Sequence, residues 1–464
     1  MLPKKTIEEE SNMSKVKELK QEFSCRYVAQ ILIEATTPLK VGSGDSDIAI
    51  DSPVLKNWNG YPMIQGTSMA GVLRDALDDR LDLLFGRKMG SRVLVSHVHL
   101  VDNDNTIPYA LGKSSEFLEH YKDLPIREHV AITHKGVAKS TGKFDEEVVY
   151  TGSRFKFELE FLADKDSNDD KQYWFDILTE LGSPLFRLGG GSTKGFGQIK
   201  VIECLEKTYT IGEDYHEKPS NLNTTKGTPK ALGNKKKAIM YKMSLQPENF
   251  FMFGAGFGDD EVDDIAVMED VVEWNNHVGK FEEQHILFPA SSLKGALSHR
   301  VAYHYNSIQG KYADRENIPD YVGTNNDAVA TIFGAEKGHE KYEKGKKGKA
   351  LFSDMFKKFD ASEIKIFDHV KIDRFTGGTV DGALYNEKVI TQKDTWQIEI
   401  LLANNLEDDV KEAFERTLDD LAKGWLPLGG MVNRGHGVFI SPEYEANNID
   451  KRGWICESLG GEDE

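Results

Sequence analysis

The stretch LGGGSTKGFG at residues 188–197 combines three consecutive glycines, two small hydroxyl residues, one lysine and a Gly-aromatic-Gly ending. It looks like a nucleotide-binding P-loop, but a P-loop places its lysine directly after the last glycine and continues into a helix. Here Lys194 precedes Gly195, and the following residues FGQIKVIECLE are rich in β-branched and apolar side chains, which predicts a strand. This loop-to-strand order excludes a P-loop.

The same pattern recurs as LGGMVNRGHG at residues 428–437, with Arg434 in the place of Lys194. The same shift of 240 positions pairs His129 with His369. A constant shift over about seventy residues indicates a duplicated unit.

Towards the start of each unit the shift varies, as it would if loops differ in length. The segment IQGTSMAGVLR (64–74) pairs with FPASSLKGALS (288–298) at a shift of 224, and DIA (47–49) pairs with DIA (264–266) at 217. The repeat predicts an N-terminal arm (1–25), a first domain (26–205), an exposed linker (206–238), a second domain (239–446) and a disordered C-terminal tail (447–464).

Each unit shows the same order of predicted elements. A first strand is followed by a short helix that Ser68 or Ser292 would cap, a later second helix, and a final strand after the glycine-rich stretch. The predicted first strands and second helices are 26–36, 238–247, 172–182 and 408–424. This order predicts an α+β fold with two tandem ferredoxin-like, RRM-like βαββαβ cores carrying large insertions. Such a core permits RNA as a ligand but does not imply it.

The composition excludes some classes of protein. No run of apolar residues is long enough for a membrane span, and the N-terminus lacks the apolar segment of a secretory signal, so we expect a cytoplasmic location. The three cysteines form no C-x-x-C pair, which argues against a zinc site and a disulfide framework. The net charge of −18 taken alone weighs against nucleic acid. Basic clusters at 235–238 and 337–349 fit either local RNA contact or solvated loops.

Four motifs in the right order carry a resemblance to a known family. They are TPLKVGSG (37–44) with IAIDSPVLKNWNGYPMIQGTSMAGVLR (48–74), ILFPASSLKGALSHR (286–300), VKIDRFTGGTVDGALYNEKVI (370–390) and the glycine stretches. Together they cover most of 30–200 and 240–440, and the chain resembles the RAMP superfamily, in particular the backbone subunits of type III CRISPR effector complexes. The resemblance implies two units that line a guide RNA (crRNA) between other effector subunits. It also implies protruding β-hairpin thumbs that kink the guide–target duplex, and cleavage of the target RNA there.

The predicted RNA contacts lie at the helix starts, the glycine stretches and the hairpin bases. Free N–H groups at a helix start and at a glycine-rich turn favour a phosphate. The alternatives are ordinary capping, a turn that needs positive φ, a surface hairpin without ligand and structural histidines. The predicted residues are Gly66, Thr67, Ser68, Arg74, Gly190, Gly191, Lys194, Ser291, Ser292, Lys294, Gly430, Arg434, His129 and His369.

The predicted catalytic acids lie in one loop of each unit. Asp45, Asp47 and Asp51 crowd into SGDSDIAIDSPV, where they would repel one another unless a cation such as Mg²⁺ (or Mn²⁺) binds. The resemblance implies that Asp51 cleaves the RNA and that Asp47 helps, both as metal ligands. The alternative is a solvated acidic loop or a calcium-like structural site.

In the second unit the shift of 217 places Met268 opposite Asp51. The nearby acids Glu269, Asp270 and Asp264 are the predicted substitutes, and the alternative is an inactive second unit.

The predicted function is therefore guide-RNA binding with metal-dependent cleavage of complementary target RNA. One alternative is a non-catalytic, structural RNA-binding subunit of the same complex. The other is a metal-independent endoribonuclease that processes the guide precursor through a histidine.

Overall fold

The structure is a computed structural model that describes residues 23–44, 50–77, 82–86, 90–133, 135–233, 237–275, 277–312, 318–403, 405–445, 448 and 451–460. Residues up to 233 are here named the first unit, and residues from 237 the second unit. None of the helices in these ranges is long and apolar enough to cross a membrane.

The described residues form nineteen strands and seven α-helices. The strands are β1 Cys25–Ala35, β2 Met63–Ile64, β3 Val93–Val95, β4 Val98–Leu100, β5 Ile126–Ile132, β6 Ala138–Glu147, β7 Arg154–Ala163, β8 Ile199–Thr210, β9 Thr228–Pro229, β10 Ala238–Pro247, β11 Met268–Asn275, β12 Val278–Phe288, β13 Ala350–Leu351, β14 Met355–Lys358, β15 Ile364–Ile372, β16 Thr379–Ile390, β17 Trp396–Leu402, β18 Phe439–Ile440 and β19 Ile455–Leu459. The α-helices are α1 Gly66–Ala76, α2 Glu116–Glu119, α3 Asn168–Leu181, α4 Ala290–Ile308, α5 Ile318–Tyr321, α6 Asp327–Phe333 and α7 Asp408–Ala422.

The first unit is an antiparallel sheet with helices on one face. The strand order is β2-β4-β7-β1-β8-β9, with β3 also paired to β7. Strand β7 alternates apolar and polar residues, whereas β1 is buried along most of its length. Apolar side chains on one face of the two strands, such as Ile31, Phe157 and Phe161, pack against Trp174 and Ile177 of α3. Successive side chains of a strand point to opposite faces, so the apolar face that these residues share can be covered by a helix.

The second unit repeats this plan. Strands β13-β17-β10-β18 form the sheet, and β19 also pairs with β10. Helices α4 and α7 cover its apolar face, with Leu297 and Phe414 in the same core as Trp396 of β17. Both units are thus mixed α and β with antiparallel sheets, which confirms the predicted α+β class, and the predicted strands and second helices agree with β1, β10, α3 and α7 within a few residues.

Two segments differ from the sequence prediction. The segment 206–238 is not an exposed linker throughout, because β8 continues to Thr210 and β9 pairs with it. The tail is not disordered at Ile455–Leu459, because these residues form β19, which makes a ladder along β10. In both cases tertiary pairing supplies backbone partners that local composition does not reveal.

A long hairpin projects from each unit, as predicted for the thumbs. Strands β5 and β6 form one hairpin and β15 and β16 the other, each with a register irregularity near its tip. The second tip exposes Phe375 almost completely (99%).

A further hairpin, β11–β12, joins the two units, and we call it the clasp hairpin. Trp274 donates its indole N–H to the Gly152 carbonyl at 2.7 Å, and Val272 donates its backbone N–H to Thr151 at 2.8 Å. Phe281 packs against Phe117 of the first unit with ring centroids 5.2 Å apart. Val272, Trp274 and Phe281 all belong to the first unit's apolar core, so that core is completed by the second unit.

A buried ion-pair group lies at the same junction. Arg127 of β5 pairs with Glu269 of β11 and with Asp354, which precedes β14. Burial alone would lower the pKa of Arg127, but the two carboxylates outweigh burial and raise it. Asp354 also accepts the backbone N–H of Ala290, the first residue of α4, at 2.7 Å. The base of the first hairpin is thereby fixed to the start of the second unit's helix.

Candidate RNA interface and acidic loops

The two glycine loops, 188–197 and 428–437, have the same backbone geometry. The N–H of Gly190 donates to the Lys40 carbonyl at 2.7 Å, and the N–H of Gly430 donates to the Met252 carbonyl at 2.7 Å. Gly189 has φ of +85°, and a Cβ there would lie 2.3 Å from the Lys40 oxygen. The turn itself therefore requires glycine, and phosphate contact by these loops stays a prediction.

Each glycine loop places its cation on an aromatic ring of the adjacent hairpin. The Lys194 ammonium lies 4.5 Å from the Phe144 ring centroid, and the Arg434 guanidinium lies 4.8 Å from that of Tyr385. His129 and His369 stack on the same two rings at 4.9 and 4.8 Å. The repeat therefore extends to side-chain packing at the hairpin base.

The histidines of these groups are mostly buried against glutamates. His129 Nε2 lies 2.7 Å from Glu146, and His369 Nε2 lies 2.8 Å from Glu387. Burial would raise the pKa of Glu146, but its hydrogen bonds from His129 and Lys40 lower it to about 2. These contacts give both histidines a structural part at the hairpin base. RNA contact by them is untested.

The helix starts differ from the predicted capping. Helix α1 begins at Gly66 and α4 at Ala290, so Ser68 and Ser292 are the third residues of their helices and cap neither. A distant side chain accepts the first N–H in each case: His97 Nδ1 at 3.2 Å from Gly66, and Asp354 at Ala290. The capping prediction is wrong because these acceptors lie far away in sequence.

The hydroxyl residues of the helix starts are still accessible. Thr67 and Ser68 are exposed, and Ser291 and Ser292 are partly exposed. Arg74 lies eight residues beyond Gly66, a rise of ~12 Å along α1.

The structure brings the first glycine loop to the second helix start rather than to its own. Lys294 Nζ donates to Thr193 Oγ1 at 2.9 Å, and a Cβ on Gly195 would lie 2.6 Å from the Ala290 Cβ. Burial and the neighbouring charge of Lys194 lower the pKa of Lys294 to about 8. Lys194 of the first unit and Lys294 of the second unit therefore lie close together, and their combined positive charge favours binding of an anion there.

The first acidic loop is tied to the first hairpin through Asp51. The N–H of Asp51 donates to Asp145 Oδ1 at 2.7 Å, and the N–H of Asp145 donates back to Asp51 Oδ2 at 3.1 Å. Two carboxylates of separate segments therefore lie side by side. Asp45 and Asp47 lie outside the described residues, so the prediction for Asp47 has no structural test.

The second acidic loop repeats this arrangement with Asp263. The N–H of Asp263 donates to Asn386 Oδ1 at 3.0 Å, and the N–H of Asn386 donates back to Asp263 Oδ2 at 3.0 Å. The backbone bridges beside the two loops support the same match. Gly42 pairs with Val54 in the first unit and Gly254 pairs with Ala266 in the second, and both residues of the second pair lie 212 positions after those of the first.

The shift of 217 and the placement of Met268 opposite Asp51 are therefore wrong. The short identity DIA gave a false alignment, whereas the hydrogen-bond register places Asp263 opposite Asp51 and Asp264 opposite Ser52. The helix starts Gly66 and Ala290, which come after this part of each unit, are related by a shift of 224. The shift rises from 212 to 224 across the clasp hairpin, so the second unit has 12 more residues here than the first unit.

The acids predicted for the second unit lie in three different environments. Glu269 is buried in the ion pair with Arg127, so the structure removes it as a candidate catalytic acid. Asp270 accepts the backbone N–H of Gln284 at 3.0 Å on the clasp hairpin. Asp264 is adjacent to Asp263, and burial together with the charges of Glu387 and Asp263 raises its pKa.

The side chains beside Asp51 and Asp263 limit how many ligands the protein could offer to a metal ion. Within the described ranges, no three His, Cys, Asp or Glu side chains come together as ligands. Asp51 with Asp145, and Asp263 with the Asn386 amide, offer two side chains each. Mg²⁺ is commonly held by one or two carboxylates with substrate phosphates and water, so these sets fit a Mg²⁺ that arrives with RNA.

Sequence reasoning missed Asp145, Asn386 and Arg127, and it noted Asp263 in the second loop without choosing it as a catalytic candidate. The sequence does carry one usable signal, the segment EDVVEWNNHVGKFEEQH (269–285), which contains the 12 extra residues and in which apolar side chains flank an Asn-rich turn as in a hairpin. Recognising it as an insertion would have corrected the shift to 212.

Comparisons with known proteins agree with this repeat. A family model of the RAMP superfamily matches residues 32–200 and 238–440, one match in each unit. The chain is also 26% identical over 231 residues to a Methanocaldococcus jannaschii protein named CRISPR system Cms endoribonuclease Csm3, a match that covers 42% of this chain and 88% of that protein. The chain therefore belongs to the RAMP superfamily, with one RAMP unit in each half.

Proposed function

We propose that the protein is a backbone subunit of a type III CRISPR effector complex that binds guide RNA with both units and cleaves complementary target RNA at two places. Asp51 and Asp263 are the proposed catalytic acids. The observation that carries this proposal is the repeated pair Asp51–Asp145 and Asp263–Asn386, which ties an acidic loop to a protruding hairpin in each RAMP unit. The similarity to a protein named as a CRISPR endoribonuclease supports the type of reaction.

The guide backbone would lie along the glycine loops and helix starts. At the unit junction, Lys194 and Lys294 lie beside the hydroxyl of Thr193 and the start of α4. This combination of cations and a hydroxyl group suits a phosphodiester, whatever the base sequence. Arg434 occupies the equivalent place at the exposed second loop.

At each acidic loop the chain would position a phosphodiester for in-line attack by the adjacent 2′-hydroxyl. The reciprocal backbone hydrogen bonds fix the acid relative to the hairpin, so a hairpin that bends the RNA also sets the RNA's position against that acid. A bound divalent cation would neutralise charge that develops on the phosphate. The carboxylate of Asp51 or Asp263 is then placed to accept a proton or to orient the RNA.

The test is to map target cleavage for single variants of the full chain in its assembled complex. Asp51→Asn should abolish one cut, and Asp263→Asn should abolish a different cut, with target binding unchanged in both. Asp145→Asn is the matched control, because it gives the first loop the Asp–Asn pair of the second loop and should retain cutting. Cuts that persist at every site in the Asp51→Asn/Asp263→Asn double variant would refute the catalytic assignment.

Two alternatives are outcomes of the same test. A complex that binds target without any cut would make the chain a structural subunit. Cleavage of precursor guide RNA in EDTA would indicate a metal-independent processing enzyme, but the burial of His129 and His369 against glutamates does not favour that role.

A further inference from the structure

The side-chain amine of Lys294 lies where the two units meet. It extends from α4 of the second unit, is partly exposed, and donates to Thr193 Oγ1 of the first unit at 2.9 Å. We call the place formed by Thr193, Lys194 and Lys294 the seam. Among the residues that the structure describes, no carboxylate pairs with Lys294. A lysine that loses hydration without gaining a carboxylate has a weakened preference for its charged form.

A second cation adjoins this amine. Lys194 follows Thr193 in the glycine loop, and its ammonium lies 4.5 Å from the Phe144 ring centroid. Burial of Lys294, together with the smaller effect of the Lys194 charge, lowers the pKa of Lys294 to about 8. At pH 7.5 about a quarter of the Lys294 side chains are therefore neutral, compared with about 0.1% for an unperturbed lysine.

Two carboxylates near the seam already have cations of their own. Glu146 pairs with Lys40, and Asp354 pairs with Arg127. Neither carboxylate is bonded to Lys294, so the two lysines of the seam keep a local surplus of positive charge. Such a surplus attracts small anions from solution.

The chemistry of the seam favours one class of reagent. The neutral amine is the nucleophilic form of lysine, and proteins increase its population by desolvation or by a neighbouring cation. An acyl phosphate carries a negatively charged phosphate group directly beside an electrophilic carbonyl carbon. One lysine cation can therefore hold the phosphate group while the neutral amine of the other lysine meets the carbonyl carbon.

We propose that Lys294 is a site of acylation by acyl phosphates such as acetyl phosphate. Lys194 binds the phosphate group, and the neutral amine of Lys294 attacks the acyl carbon. A C–N bond forms, the bond between the acyl carbon and the phosphate oxygen breaks, and its electron pair and the proton of the amine leave with inorganic phosphate. The amide product is neutral, so the seam loses one positive charge. A weaker grip on guide RNA would follow, and that consequence alone rests on the proposed function.

The first experiment incubates the RNA-free full chain with acetyl phosphate at pH 7.5 and follows acetylation of each lysine by peptide mass spectrometry. Lys294 should react about tenfold faster than Lys347, a 74% exposed lysine, because its larger neutral fraction outweighs its lower exposure. Lys194→Gln should slow the reaction at Lys294, whereas Lys194→Arg keeps the charge and should retain it. The proposal is overturned if Lys294 reacts no faster than Lys347, or if the folded Gln and Arg variants react alike.

The second experiment separates this reactivity from the proposed function by repeating the acetylation with guide RNA bound to the full chain. Bound RNA should protect Lys294, and a chain that carries acetyl-lysine at position 294 should bind guide RNA about fivefold more weakly. Fast acetylation of the free chain without protection by RNA would support the acylation site and refute the RNA contact of Lys294. Slow acetylation of the free chain would overturn the acylation site, whatever the RNA does.

Discussion

Replacing Arg127 by methionine should destabilise the chain more than any exposed ion-pair change. The side chains of Arg127 and its partners Glu269 and Asp354 are at most 6% exposed. Loss of the guanidinium leaves two buried carboxylates without their cation, and breaking a buried pair costs about 3–5 kcal/mol. We expect the free energy of unfolding to fall by about that amount.

The assay is urea unfolding of the full chain, followed by circular dichroism and tryptophan fluorescence. Lys347→Met is the matched control, because Lys347 and Asp75 also pair across the two units but are 74% and 72% exposed; we expect no measurable change. The triple variant Arg127→Met/Glu269→Gln/Asp354→Asn should recover most of the loss, since no charge is then buried unpaired. A loss below about 1 kcal/mol for Arg127→Met would refute the argument that this group locks the junction.

Two further predictions concern the junction. The pKa of Lys294 is lowered to about 8, so Lys294 loses its proton as pH rises through 8, and RNA affinity at constant salt should fall about fivefold from pH 8 to 9. Lys294→Arg should remove that dependence, because arginine stays charged, and an equal fall in both proteins would contradict the role of Lys294. Gly195→Ala should cost about 1–3 kcal/mol more than Gly435→Ala in urea unfolding, because both have positive φ but only at Gly195 does a Cβ meet Asp354 and Ala290. Equal losses would show that the junction can relax around Gly195.

The periodic elements of this fold could be predicted from the sequence. Strands β1 and β10 and helices α3 and α7 carry their own pattern, and the glycine loops repeat because their turns require glycine. These features depend on local chemistry, which a single sequence displays.

The features that were mispredicted depend on contacts between distant residues. Ser68 and Ser292 resemble caps, but His97 and Asp354 accept the first N–H groups of the two helices. The match of Asp51 to Asp263 is visible in the hydrogen-bond register, whereas the identity DIA indicated a shift of 217 instead of 212. Insertion lengths between matched segments decide such an alignment more reliably than a three-letter identity.

The clasp hairpin also has a consequence for any polymer that lies across both halves. Since Trp274 and Phe281 pack against the first unit's apolar core, moving the two halves apart would break these contacts and expose that core. The distance between Asp51 and Asp263 is consequently set by the fold. An RNA severed at both acids would release a piece of invariant length, whatever its sequence and however long the strand that carries it.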